Sequence, residues 1–147
     1  KGKCFATLAG QQGFSEAPQF EGSSCLSRER YDYMFQKRLL EEHYRTYGGS
    51  YAWVRAGFRA SRELMRRENL AKIKVPVLLF AAGCDHMVDN GAIGRFAEET
   101  ERTKLFSMPD SRHEIFNADE RTRVKYYDEI FRFIKEEEVK DYENKNE

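Results

Sequence analysis

Two polar turns of this chain carry residue types that could do chemistry together. Asp85 lies in AAGCDHMVDNG (81–91) and His113 in PDSRHEIF (109–116). An acid that orients an imidazole, which in turn takes a proton from a nucleophile, is the logic of a catalytic triad. Only two other histidines exist, His43 and His86. No serine stands in a Gly-x-Ser-x-Gly elbow, so acid and base are offered without their nucleophile. Gly48-Gly49-Ser50-Tyr51-Ala52 has a related form, but the EEHYRTY before it is charged and helical in pattern, not a buried strand. Other assignments compete for the acid. Asp89, before NGAIGRF, suits a helix N-cap. Glu114 is adjacent to His113 and badly placed to reach around its ring. His86 follows Asp85 directly and should point elsewhere on the turn. A metal site from Cys84, Asp85, His86 and Asp89 would need consecutive ligands, which lack standard zinc spacing, so no metal is expected.

The elements that must position these residues can be read from hydrophobic pattern. VPVLLFAAG (75–83) is a continuous apolar run opened by a proline. A strand apolar on every residue is buried on both faces, as in a central strand of a parallel sheet. DNGAIGRFAEETER reads as a helix capped by Asp89, and KLFSMP as a second short strand. DERTRVKYYDEIFRFIKEEE reads as an amphipathic helix with Val124, Tyr127, Ile130, Phe131 and Ile134 on one stripe, followed by a charged tail that frays. Strand, helix, strand, helix is an α/β order, and it puts Asp85 and His113 just past the C-terminal ends of successive strands. In open α/β sheets reactive side chains project there. Before this lie an irregular stretch, 1–26, with Phe14 and Phe20 as anchors, then a helix capped by Ser27 and running to about Tyr47. A second helix runs from about Tyr51 to Arg67, with Trp53, Val54, Gly57, Phe58, Ala60, Leu64 and Met65 on its apolar face. Residues 1–69 thus read as a helical cap, 70–138 as an α/β core segment and 139–147 as a tail. Two strands cannot make a stable parallel sheet alone, so further strands are expected before Lys1.

Composition narrows the function classes. Lys plus Arg and Asp plus Glu balance at 25 each, so no global field points to nucleic acid. There is no apolar run of ~18 residues for a transmembrane helix, and KGKCFATLAG has no signal-peptide h-region. Cys4, Cys25 and Cys84 form no even-numbered disulfide framework and read as reduced thiols of a cytoplasmic protein.

Taken together, IKVPVLLFAAGCDHMVDNGAIGRF and KLFSMPDSRHEIFNADERTRVKYYDEIFRFI resemble the C-terminal part of the α/β-hydrolase fold, and more narrowly bacterial lysophospholipases and monoacylglycerol lipases. Gly83-Cys84-Asp85-His86-Met87-Val88-Asp89 is similar to the acid turn of that group, and Ser111-Arg112-His113-Glu114 to its histidine turn. FEGSSCLSRERYDYM resembles the entry to the helical cap, and YGGSYAWVRAGFRASREL the cap helix that carries a tryptophan over the acyl pocket. The resemblance implies Asp85 and His113 as catalytic residues and Trp53 and Phe58 as substrate-binding ones. It implies a serine nucleophile on an N-terminal half preceding this chain, a lipid-like monoacyl ester substrate, no cofactor, and peripheral contact with the inner membrane. Another α/β-hydrolase chemistry, a peptidase or dehalogenase, shares the same acid and base, and a non-catalytic binding relative shares the fold.

Overall fold

The computed structural model describes residues 6, 8–11, 13–46 and 48–144; Cys4, Tyr47 and 145–147 lie outside them. Helix α1 (Arg28–Leu40) starts at Ser27, whose hydroxyl accepts from the Arg30 amide at 3.3 Å. It stops earlier than periodicity suggests. The Arg45 guanidinium folds back and donates to the carbonyls of Arg38 (2.9 Å) and Leu39 (3.1 Å), satisfying groups that a continuing helix would have paired. A single 3₁₀ turn, Glu42–Tyr44, follows. Phe14 and Phe20, in the irregular segment, pack on the rings of Phe35 and Tyr31. Helix α2 (Tyr51–Leu64) is capped by Ser50, and a break at Met65 and Arg66 separates it from the single turn of α3 (Arg67–Leu70).

Strands β1 (Val77–Ala82) and β2 (Thr103–Met108) form a parallel two-stranded sheet, joined through helix α4 (Asn90–Glu98). The register runs from Val77 opposite Thr103 to Ala82 opposite Met108, so both strands end at the same level. This is a partial α/β fold. The apolar run of β1 is only half-buried except at Ala82, because a single neighbouring strand covers one side of it. The small core beneath the strand ends is Ala82, Met108 and Ile115, with Phe80, Phe106 and Tyr126 packed around it.

Helix α5 (Glu120–Asn144) corrects two expectations. It continues to Asn144, so most of the charged stretch after 138 is helical; Lys140 pairs with Glu137 one turn back and Arg102 reaches the same carboxylate. The helix also turns a different face to the sheet. Tyr126 packs on Phe80 with ring centroids 4.6 Å apart, Glu129 is buried between Arg132 and Lys104, and Glu137 is partly buried beside Arg102. Of the expected stripe Ile130 is half-buried, while Val124, Tyr127, Phe131 and Ile134 stay exposed. Ion pairs of Glu129 and Glu137 with β2 and its approach hold the face that includes Tyr126 against the sheet.

Candidate active site

The level strand ends bring two turns side by side. The amide of Gly83 donates to the Met108 carbonyl (2.9 Å), and the amide of Cys84 to the Ser111 carbonyl (2.9 Å). Ser111 is buried, and its own amide closes the turn onto Met108. Gly83 is required by this approach. A Cβ there would fall on the carbonyl oxygen of Pro109 and within 2.6 Å of its Cα, both main-chain atoms that cannot swing aside. Gly83→Ala should therefore push the two turns apart and destabilise the fold by about 1–3 kcal/mol. Urea unfolding would measure the loss, and the separation would show as a missing hydrogen bond between Asp85 and His113 in the histidine ring NMR spectrum.

Within this frame the Asp85 side chain is 3% exposed and that of His113 40%. Oδ1 of Asp85 accepts from the amides of Met87 (2.7 Å) and Val88 (3.2 Å), a local turn that fixes the carboxylate in place. Oδ2 lies 2.9 Å from Nδ1 of His113. Burial raises the Asp85 pKa, but the Met87 amide, the His113 ring and the Val88 amide together outweigh it and hold the carboxyl below the ordinary aspartate range. An ionised Asp85 accepts the Nδ1 proton, which leaves Nε2 of His113 as the basic nitrogen. Among the described residues nothing hydrogen-bonds that nitrogen.

The family described as serine aminopeptidase, S33, matches residues 20–120, which hold both turns, both strands and helices α1 to α4. The chain belongs to the serine aminopeptidase S33 family of α/β-hydrolases. No curated protein and no solved structure gives a match.

In this S33-family chain the competing groups have other work. Asp89 caps α4, accepting the Gly91 amide at 2.8 Å. Glu114 accepts from Ser24 and Asn117 at 2.7 Å each, one on either carboxylate oxygen. Ser50 accepts the Trp53 amide as the cap of α2. Among the described residues no three His, Cys, Asp or Glu side chains converge as metal ligands, and Cys25 and Cys84 are free thiols. Trp53 and Phe58 stand on α2 with 71% and 70% of their surface open, and no hydrogen bond or ring contact among the described residues joins them to Asp85 or His113.

Sequence reasoning missed a groove between α1 and the two turns. Arg30, Met34, Arg38, His86, Met87 and Glu114 are among its lining residues. The helical spacing of Arg30, Met34 and Arg38 could have shown them as one face of α1, but not that this face shares a groove with His86 and Glu114, the sequence neighbours of the acid and base.

Proposed function

We propose that this chain supplies the acid and base of a serine carboxylic-ester hydrolase for lysophospholipid or monoacylglycerol-like esters. Asp85 orients His113 and stabilises its imidazolium. His113 Nε2 takes the proton of a serine carried on a segment outside these 147 residues, and later returns it to the leaving alcohol. The exposed aromatic face of α2, with Trp53 and Phe58, covers the acyl chain. A cytoplasmic site of action with peripheral membrane contact belongs to the same reading; no described helix is long and apolar enough to cross a membrane.

The observation that favours a lysophospholipid-type ester over an N-terminal peptide is the charge of the groove beside the pair. Arg30 and Arg38 line it, and neither side chain has an ion-pair partner among the described residues. Its Glu114 carboxylate has both oxygens engaged by Ser24 and Asn117. A peptide ammonium would need a free carboxylate, whereas a phosphate headgroup finds two guanidinium groups and the apolar stems of Met34 and Met87.

The test is the full-length protein against a lysophosphatidyl ester, a long-chain monoacylglycerol, an acetyl ester and an aminoacyl anilide. The reading expects kcat/KM on the two long-chain esters to exceed the acetyl ester by at least ~10-fold, since even a few buried methylenes are worth that much. Equal rates on acetyl and long-chain esters would leave a hydrolase without the lipid specificity. Preference for the anilide would make it a peptidase.

A further inference from the structure

We propose that Glu114 is a positioning residue for His113, latching the histidine turn to the turn-and-bend strap that enters the cap. The inference rests on His113 being the base. The strap, residues 21–25, touches the turn on both sides of the imidazole. Before it, Arg112 Nη1 donates to the carbonyls of Glu21 (3.1 Å) and Ser23 (2.9 Å). After it, the Glu114 amide donates to the Ser24 carbonyl (3.0 Å), and the Ser24 hydroxyl donates back to Glu114 Oε1 (2.7 Å). The Asn117 side-chain amide fills Oε2 (2.7 Å), and the buried Cys25 thiol donates to the Asn117 carbonyl (2.9 Å). His113 makes no contact with the strap among these bonds; Arg112 and Glu114 on either side of it make four of them, and Asn117 adds the bond to Cys25.

The placement matters because Asp85 alone cannot set the ring. One hydrogen bond from Nδ1 fixes a distance but leaves the imidazole free to swing about it, and Nε2 swings furthest. Clamping residues 112 and 114 fixes the backbone on either side of His113 and so the direction of Cα–Cβ. Two residues after the strap Ser27 caps α1, so the same strap ties the base to the first cap helix. A carboxylate suits the latch. It accepts from a hydroxyl and an amide at once and has no donor of its own to repel either.

The experiment uses the full-length protein with Glu114→Ala, Glu114→Gln and Ser24→Ala, the last removing one hydroxyl in case the Glu114 changes unfold the turn. Asp85→Asn is run alongside. Each variant is read by steady-state hydrolysis and by the His113 Nδ1–H proton resonance. A misplaced base should lower kcat on the order of 10- to 100-fold at unchanged KM. The resonance should broaden or move upfield, with Glu114→Gln retaining more of both than Glu114→Ala. Unchanged kcat and resonance in a folded Glu114→Ala protein would overturn the proposal, as would a kcat loss that leaves the resonance in place. Should Asp85→Asn hydrolyse like wild type, the acid–base reading fails instead, and the resonance alone then decides whether Glu114 positions the ring.

Discussion

Asp85→Asn in the full-length protein should lower kcat for ester hydrolysis on the order of 10⁴-fold, the loss seen when the acid of a Ser-His-Asp triad becomes an amide. Asp85 Oδ2 sits 2.9 Å from His113 Nδ1. An asparagine presenting its NH₂ there would favour the tautomer with the proton on Nε2, and that ring cannot take a proton from serine. Asp89→Ala should leave turnover near wild type and cost ~1 kcal/mol of stability, because Asp89 only caps α4. If the Asp89 change abolished turnover in a folded protein while the Asp85 change did not, the roles would be reversed. The same substitution has a signature in acid. The folded-state pKa of Asp85 lies below its unfolded value, so the stabilisation it gives is fully present above the ordinary aspartate range, ~3.9, and is lost as pH falls through the folded value. Urea midpoints measured from pH 6 down to pH 2 should fall less steeply for Asp85→Asn than for wild type.

What could be read from sequence was local. The continuous apolar run ending at Ala82 and the short strand ending at Met108 were visible in the sequence. Once two such strands are parallel neighbours, the turns that follow them must meet, and of the several titratable residues those turns carry, Asp85 and His113 are the acid and imidazole that come within 2.9 Å of each other. What could not be read depended on distant partners. Glu114 was legible only as a poor rival for the acid, adjacent to His113; its bond to Ser24, 90 residues away, is announced by nothing local. The early end of α1 depended on Arg45 reaching back across seven residues to Arg38. On α5 the pattern identified Val124, Tyr127, Ile130, Phe131 and Ile134 as a stripe, yet Lys104 and Arg102 draw the carboxylates of Glu129, Glu136 and Glu137 to the sheet, which leaves Ile130 half-buried and the other four outward. Periodicity reports that a face is apolar; the partner decides which apolar face is used.

Coupling between acid and base gives the strongest test of the pair. His113→Ala should reduce kcat on the order of 10⁶-fold, since the nucleophile then has no acceptor for its proton. Adding Asp85→Asn to that protein should cost almost nothing more. An acid that works only by orienting the imidazole and stabilising its cation has no task once the ring is gone, so the double variant should fall within a few-fold of His113→Ala. A double variant slower by a further 100-fold or more would mean that Asp85 acts on the reaction without His113. Stability should respond in its own way. His113→Ala removes one donor from a carboxylate that is 3% exposed, while the amides of Met87 and Val88 remain. The expected cost is about 1–3 kcal/mol in urea unfolding at neutral pH, and Asp85→Asn in the same background should recover part of it by removing the charge that has lost its partner. Recovery of stability together with no further loss of turnover would show the two side chains acting as one unit through the 2.9 Å contact.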